Sequence, residues 1–315
     1  MVRGAYAQLM APGAHAAFVH WLNTKQRPSE YEQVFNIETS EKAYEDEWEF
    51  SGVGPLPEKP EGESLTFQDA VQGGTKRYTH FTYGLGVRSS FELYDDDQYN
   101  IVKQIPKALA RSAQFTIEQQ AWNVFNLGFT TQITSDGVSL FNNQHPLLGG
   151  PAATNIGPGL SNVISAAGTY PNRPATDIDL SITAIQLAIQ QFERMVDSQG
   201  MPIEARPHLM IIPPELKFIA REILGSPHKP YTSDNEINAI LNEDLRYFVG
   251  HYLTSVSAWY LTAMKDETWL KFFWRKKLDE DFFDDPTTRS VAQVSFMRLS
   301  VGATSWVGTW GSNGP

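Results

Sequence analysis

The feature that most constrains the fold is a long helical pattern from about Tyr99 to about Phe129. Apolar residues recur through it mostly at steps of three or four, as they do along one face of a helix. Pro106 interrupts the pattern, so we expect a kink or a restart of the helix there. A helix of about 25 residues spans roughly 37 Å, which is long for a compact domain. The apolar positions are Val102, Ile105, Leu109, Ala113, Ile117, Ala121, Val124 and Phe125.

A long β-hairpin is predicted before this helix. Residues 64–71 predict one strand, Gln72–Thr75 a turn and Lys76–Tyr83 the returning strand. Two strands alone bury too little apolar surface to be stable in water. The hairpin must therefore be supported by something outside itself.

Negative charge is concentrated in one segment. The chain of 315 residues has a formal net charge of −11. Between Glu30 and Glu63 there are eleven acidic residues and two lysines, so this segment carries −9 of that charge. Such a balance disfavours sequence-specific nucleic-acid binding, which needs basic groups to neutralise phosphates. It fits a surface that tolerates a dense polyanion nearby without binding it.

The second half of the chain predicts alternating helices and strands. An amphipathic helix is expected over residues 179–196, and Leu209–Ile212 predicts a buried central strand. A helix follows Pro213 and Pro214 and ends at Gly225. Further strands are predicted over residues 258–261, 269–274 and 291–301, so the fold class is α+β. Trp306 and Trp310 indicate a C-terminal end that is tied down.

The composition excludes several classes of site. The absence of cysteine excludes disulfides, thiolate zinc sites, iron–sulfur clusters and cysteine nucleophiles. At 41% hydrophobic and 19% charged residues, the chain is expected to be globular. There is no apolar run of about 18 residues, so no membrane span is predicted. No secretory signal is expected at the start.

No catalytic, cofactor-binding or metal-binding residue is predicted. The histidines are scattered, and a structural role is favoured for each of them. The run Asp279–Asp285 is either a divalent-cation site or, as we favour, a solvated turn between strands. The run Asp95–Asp97 is similarly interpreted as a helix cap. Aromatic residues between Trp259 and Trp274 favour core packing over a ligand platform. The histidines are His15, His20, His80, His145, His208, His228 and His251.

Several short motifs, taken in order, resemble the major capsid proteins of tailed bacteriophages with the HK97-like fold. The resemblance is greatest to the Mu-like major head subunit group, and it spans about residues 57–312. Each motif is weak alone, whereas their order and spacing together are fairly specific. The motifs are Glu118–Asn126, Asp136–Phe141, Asn143–Pro146, Gly149-Gly150, Ile212–Leu216 with Ala220 and Ile223-Leu224, Asn235–Asn238, Leu253-Thr254, Ala258–Leu261, Leu270–Phe273, Arg298–Gly302, Ser305-Trp306 and Gly311-Ser312.

The resemblance implies a division into the parts of that fold. These are an N-terminal arm over residues 1–55, an extended E-loop over 56–90, and a P-domain with the long spine helix over 91–175. An A-domain follows over 176–288, and residues 289–315 hold a returning P-domain strand and the C-terminus. On this interpretation the hairpin lacks its own core because it lies over a neighbouring subunit.

The resemblance also implies partners. The chain would form pentamers and hexamers of an icosahedral shell around double-stranded DNA, without sequence-specific binding, membrane contact, cofactor or enzymatic turnover. A portal and a separate scaffolding protein are expected, with assembly in the bacterial cytoplasm. Whether the acidic segment faces inward is a hypothesis. Some relatives cross-link lysine to asparagine, but Lys76, near the predicted hairpin tip, is a weak candidate for this chemistry.

Two alternatives stay open from the sequence. The first is an encapsulin-type compartment of the same fold that loads a cargo enzyme. The second is a carbohydrate hydrolase that uses two carboxylates beside aromatic platforms. Spacing along the chain cannot reveal such a pair of carboxylates among 36 acidic residues.

Overall fold

The computed structural model describes residues 29–50, 58–65, 72–90, 104–146, 169–197, 201–229, 236–285 and 290–314, with a few residues between these ranges. The predicted cap Asp95–Asp97, His15 and Gly149-Gly150 lie outside the described residues. The helices are α1 (Tyr31–Val34), α2 (Ile105–Asn126), α3 (Ile182–Glu193) and α4 (Lys217–Gly225). The strands are β1 (Asn36–Thr39), β2 (Tyr44–Phe50), β3 (Gln72–Thr79), β4 (Phe81–Ser90), β5 (His145–Pro146), β6 (Thr169–Tyr170), β7 (Leu209–Ile212), β8 (Arg246–Val249), β9 (Trp259–Thr262), β10 (Leu270–Asp285), β11 (Ser290–Ala303) and β12 (Thr309–Ser312).

The long helix α2 is confirmed from its second predicted turn onward. Pro106 lies in its first turn, where a missing N–H costs nothing and the restricted φ angle suits a helix. The described helix therefore begins at Ile105, and residues 99–103, on which the expected kink or restart depends, lie outside the described residues. The 22 residues of α2 span about 33 Å. One side of the helix is buried, as the periodicity predicts.

A four-stranded sheet packs against α2, with strand order β1-β10-β11-β4. The strand β1 runs parallel to β10, whereas the other two pairings are antiparallel. Alternate residues of β11 are buried, among them Met297 and Leu299. This alternation is the pattern that predicted the strand, and it gives the sheet one face that packs on the core.

A second four-stranded sheet has the order β12-β9-β7-β8. The strand β7 lies inside this sheet, parallel to β8 and antiparallel to β9, which confirms Leu209–Ile212 as a buried central strand. The helix α4 follows Pro213 and Pro214 and ends at Gly225, also as predicted. The helix α3 is shorter than predicted because Ser181 caps it, accepting a hydrogen bond from Ala184 N.

The two sheets and α2 share one buried cluster. Trp122 of α2 stacks on Phe248 of the second sheet with ring centroids 5.9 Å apart. Phe125 of the same helix contacts Tyr260 of the second sheet and Phe35 beside β1. The segment from Tyr31 to Phe35, which lies within the predicted arm, is therefore part of the core of its own chain.

The hairpin that precedes the first sheet pairs other strands than those predicted. The strand β3 pairs with β2, and residues 51–71 connect them. Gln72–Thr75, predicted to form the turn, lies inside β3. A Cβ atom on Gly74 would lie 2.0 Å from Ser135 O, so this glycine permits close backbone packing and does not mark a turn. The residues after His80 form β4, which belongs to the first sheet.

The strands at the end of the chain extend further than predicted. The strand β10 continues to Asp285, so the acidic run Asp279–Asp285 lies on a strand and not in a turn. Its pairing with β11 keeps the backbone groups of that run satisfied despite its charge. Trp306 and Trp310 are buried, which confirms a C-terminal end that is tied down. No helix in the described part of the chain is long and apolar enough to cross a membrane.

Candidate functional site

The clearest polar cluster in the core surrounds His145, a residue with no exposed surface. Its Nδ1 atom lies 2.6 Å from Asp136 Oδ2, and its Nε2 atom lies 3.1 Å from Asn172 Oδ1. Asn172 is oriented by the backbone, since its Oδ1 accepts from Asn142 N and its Nδ2 donates to Leu140 O. His145 Nε2 therefore donates its proton to Asn172 Oδ1.

This cluster has the composition of a catalytic site but the position of a packing element. The ring of Trp306 covers the imidazole of His145 at 4.7 Å. Asp136 also accepts hydrogen bonds from Val138 N and from Thr134 Oγ1 within its own loop. Both ring nitrogens of His145 are engaged, so the imidazole joins the loop around Asp136 to the strand β6. The structural role predicted for His145 agrees with this geometry.

Two further histidines, His80 and His251, also have polar partners within the chain. His80 lies between Ser40 Oγ at 3.1 Å and Ser300 Oγ at 2.9 Å. Burial, together with the nearby Arg298, lowers the pKa of His80. His251 Nδ1 lies 2.6 Å from Glu30 Oε1. Among the described residues, no three histidine, aspartate or glutamate side chains are grouped as metal ligands.

Two aspartates of the acidic run at the end of β10 have partners close by in the chain. Asp285 accepts hydrogen bonds from Thr287 N and Oγ1 and from Thr288 Oγ1. These donors lower its pKa to about 2. Asp279 forms an ion pair with Lys276 at 2.8 Å. Asp285 thus caps the connection to β11.

A cleft of about 330 Å³ lies between β3, β4, α2 and β11. It contains no carboxylate, so it cannot supply the acid and base pair that glycoside hydrolysis needs. Lys76 borders it, and burial lowers the pKa of this lysine. The side chains that line the cleft include Lys76, Tyr78, Phe81, Tyr83, Gln120 and Gln132.

Lys76 was expected near the tip of the hairpin, but it does not lie there. It lies within β3, paired with Glu47 of β2, and its Nζ atom donates to Ile133 O at 2.5 Å. Ser135 Oγ, two residues further along the same loop, donates to Glu49 Oε2 at 3.3 Å. The hairpin is thus held by the loop that follows α2, which is the support that its lack of a core required.

The outer face of this hairpin is aromatic and exposed. Trp48 is 56% exposed and Tyr44 is 45% exposed. Between them, Arg77 forms a two-pronged ion pair with Asp46 and lies 4.0 Å from the Tyr44 ring centroid. Exposed aromatic residues beside a paired arginine are typical of protein interfaces.

The connection between β2 and β3 is the most exposed part of the described chain. Residues 58–65 are all exposed, and their one described hydrogen bond joins Glu63 N to Pro60 O. Leu56 is 96% exposed and Phe67 is 92% exposed. Large apolar side chains with almost no contact in their own chain indicate a surface that is covered by another molecule.

The arm before β1 is attached by a buried carboxylate that the sequence analysis did not identify as functional. Glu118 of α2 has no exposed surface. Its Oε1 accepts from Glu30 N at 2.8 Å, and its Oε2 accepts from Tyr31 N at 3.1 Å and Trp122 Nε1 at 3.3 Å. The signal was an acidic residue on the buried side of an amphipathic helix, one position after Ile117.

Comparison with solved structures gives a common fold. The capsid of a native GTA particle has a TM-score of 0.58 at 10% identity, covering 90% of this chain and 89% of that one. The capsid of the cyanophage P-SCSP1u has a TM-score of 0.57 at 10% identity, with coverage of 90% and 88%. Microbacterium phage Oxtober96 has a TM-score of 0.52 at 12% identity, with coverage of 89% and 86%.

The sequence adds the family to the fold. No curated protein matches the chain by sequence. A family described as phage capsid protein matches residues 73–298, which is more than half of the chain. This range includes β3, the spine helix α2 and most of both sheets. The chain therefore belongs to the phage capsid protein family, and its α+β fold is the HK97-like fold of that family's shells.

Proposed function

We propose that the chain is a major head protein that assembles through pentamers and hexamers into an icosahedral shell around double-stranded DNA. The observation that carries the proposal is the exposed connection of the β2–β3 hairpin, with Leu56 and Phe67 almost fully in solvent. Its own chain offers these side chains no cover. A neighbouring copy in a shell supplies one.

The geometry suits contacts that close into rings. A projecting segment on one side of a chain that docks on another side of the next copy is a heterologous contact, and such contacts form rings when the rotation closes. Each contact can be weak because many act together. The exposed Trp48 and Tyr44 on the same hairpin add to the surface available for this docking.

The charge distribution supports enclosure of DNA without binding to it. Glu38, Glu41, Asp46, Glu58 and Glu61 keep at least part of their side chains at the surface. An acidic surface repels phosphates and leaves packaged DNA free to leave. We propose that the segment from Glu30 to Glu63 turns its exposed carboxylates toward the interior of the shell wherever a neighbouring copy does not engage them.

The finer assignments belong to the same proposal. The chain is placed in the Mu-like head subunit group, it acts without enzymatic turnover, and it assembles in the host cytoplasm with a portal and a separate scaffolding protein. The predicted division is kept as an arm (1–55), an E-loop (56–90), a P-domain (91–175), an A-domain (176–288) and a C-terminal part (289–315). The strand β10 of the A-domain range pairs with β11 of the C-terminal part, and β12 of that part pairs with β9 of the A-domain range.

The alternatives are less well supported. An encapsulin-type shell needs a cargo-binding groove, for which the acidic arm is poorly suited. A hydrolase needs two carboxylates facing a cleft, and the cleft beside Lys76 has none.

The experiment that tests the proposal compares the intact chain with a variant in which residues 56–67 are replaced by a Gly-Ser linker of equal length. Sedimentation and negative-stain microscopy should show megadalton shells or capsomers for the intact chain. The linker variant should stay folded by circular dichroism and form no shells, because the described residues of this stretch are exposed. A stable monomer of the intact chain under all assembly conditions would contradict the proposal, and so would full shell yield from the linker variant.

A further inference from the structure

Two arginines on the first sheet have buried nitrogen atoms without a partner. The Nε atoms of Arg275 and Arg298 are both buried, and neither has a hydrogen-bond partner among the described residues. No ion pair in this part of the chain joins either guanidinium to an acidic residue. A buried donor without an acceptor is rare and unfavourable in a folded protein, and more so when the group is charged.

The two side chains belong to adjacent strands. Arg298 of β11 pairs with Lys276 of β10, and the preceding pair in the register joins Trp274 to Leu299. Arg275 lies at the irregularity between these two pairs. Both arginines are close enough to His80 to lower its pKa together with burial. Positive groups are thus gathered where the hairpin meets the sheet.

The acidic residues that face this place are already engaged. Glu45 accepts from Ser40 Oγ at 2.7 Å and pairs with Lys42 at 3.0 Å, and these two contacts lower its pKa. Asp279 pairs with Lys276. The described part of the chain therefore supplies no anion that pairs with the two arginines.

A carboxylate is the anion that best fits a guanidinium, because its two oxygens match the parallel N–H groups of the fork. Three carboxylates of the chain have the charge and the geometry for this contact. Glu58, Glu61 and Glu63 are exposed and form no ion pair with a described residue. They lie between Leu56 and Leu65, two exposed apolar side chains that can pack beside them.

The acidic segment and the arginine site are apart in the described structure. The site lies near Ser40 and His80, at the end of the hairpin where β2 begins. The acidic segment follows the other end of β2, seven residues away, which is about 20 Å along a strand. Residues 58–65 are all exposed, and the one hydrogen bond described for them joins Glu63 N to Pro60 O.

We propose that Arg275 and Arg298 form a carboxylate-binding site that receives the segment Glu58–Glu63 of a second copy of this chain. This inference rests on the proposed function, since it names the residues that two neighbouring copies bring together. The site discriminates against neutral or basic segments, because only an anion satisfies the two guanidinium groups.

The first test measures binding without assembly. A fluorescent peptide of residues 56–67 is titrated into the unassembled full chain, and binding is followed by anisotropy. The double variant Arg275→Gln/Arg298→Gln should bind the peptide at least tenfold more weakly. The control Arg246→Gln should bind normally, because the Arg246 side chain is 70% exposed and lies 3.9 Å from Asp244. A peptide with its three glutamates replaced by glutamine should bind the intact chain as weakly as the unmodified peptide binds the double variant.

The second test uses shell formation and charge exchange. Arg275→Glu/Arg298→Glu should abolish shells, and so should Glu58→Lys/Glu61→Lys/Glu63→Lys. The chain that carries all five substitutions should regain shell yield. If the charge-reversed arginine variant fails to fold, Arg275→Lys/Arg298→Lys keeps the charge but loses the fork, and it should reduce peptide binding severalfold.

The outcomes separate this inference from the proposed function. If peptide binding depends on both arginines but the chain never forms shells, the carboxylate-binding site is supported and the proposed shell assembly is contradicted. If the Arg→Gln variant forms normal shells but does not bind the peptide, the carboxylate-binding site is overturned and the proposed shell assembly stands. A 20-base-pair DNA duplex that binds the intact chain and loses binding in the Arg→Gln variant also overturns the inference, because the anion is then a phosphate.

Discussion

Glu118 shows how one residue can attach a whole segment of chain. Its two oxygens accept hydrogen bonds from the backbone of Glu30 and Tyr31 and from the indole of Trp122. The segment that follows then buries Phe35 completely. The sequence predicts the helical position of Glu118 but not its role, because the donors lie 87 and 88 residues away along the chain.

Replacing Glu118 with alanine should destabilise the fold by about 1–3 kcal/mol, since buried N–H groups lose their acceptor. The free energy of unfolding from urea titration checks this value. Gln119 provides a matched control, because it is the next residue of the same helix and is exposed. Gln119→Ala should change stability by less than about 0.5 kcal/mol. An equal effect of both substitutions would show that Glu118 does not hold the arm.

Glu49 should make the stability of the chain depend on pH. Burial raises its pKa above the ordinary value of 4.5, so the folded state binds the proton more tightly than the unfolded state. The resulting stabilisation is present below the unfolded pKa and is lost as the pH rises through the folded pKa. Glu49→Gln removes this dependence, and its stability relative to the intact chain should rise as the pH increases above the ordinary glutamate value of 4.5.

Urea titrations at several pH values measure that difference. Glu41→Gln, which replaces an exposed glutamate, is measured in parallel as the control. A difference for Glu49→Gln that does not change with pH would mean that burial does not desolvate the Glu49 carboxylate.

The hairpin shows what local sequence can and cannot predict about an element. A hairpin before the long helix is predicted over residues 64–83, whereas the observed hairpin pairs β2 with β3. The predicted strands are wrong because Gly73-Gly74 resembles a turn. The two glycines instead allow β3 to approach Glu49 and Ser135 closely. The partner strand β2 lay in the acidic stretch, and a pairing across residues 51–71 leaves no local signal.

Gly74→Ala should loosen this hairpin. The new Cβ atom would meet the backbone of Ser135 at 2.0 Å, and backbone cannot move aside cheaply. We expect a loss of about 1–3 kcal/mol, as for overpacked sites, and faster hydrogen exchange in β2 and β3. Gly84→Ala is the control, because its Cβ atom would meet Phe296 Cβ at an ordinary 3.5 Å. Unchanged exchange in Gly74→Ala would show that the loop does not seat the hairpin.

At the scale of the whole molecule, α2 joins the two sheets through a shared aromatic cluster. Trp122 stacks on Phe248, and Phe125 packs against Tyr260. The apolar periodicity predicts which side of α2 is buried, and the short all-apolar run Leu209–Ile212 predicts the central strand β7. It does not predict that β12 returns to the second sheet, because four residues of mixed polarity carry no information about their partner.

Trp122→Ala should therefore affect both sheets at once. Removing a fully buried tryptophan typically costs about 3–5 kcal/mol. Thermal unfolding should remain a single transition at lower temperature, with hydrogen exchange rising together in Met210–Ile212 and Phe272–Trp274. Exchange that rises in only one of the two strands would show that the sheets unfold independently.

The attachment made by Glu118 has a consequence for engineering. The carboxylate holds main-chain N–H groups, which every residue except proline possesses, so this contact does not depend on which side chains follow it. An arm of different composition grafted onto α2 would therefore keep the same main-chain starting point, provided that a buried aromatic residue is kept at position 31.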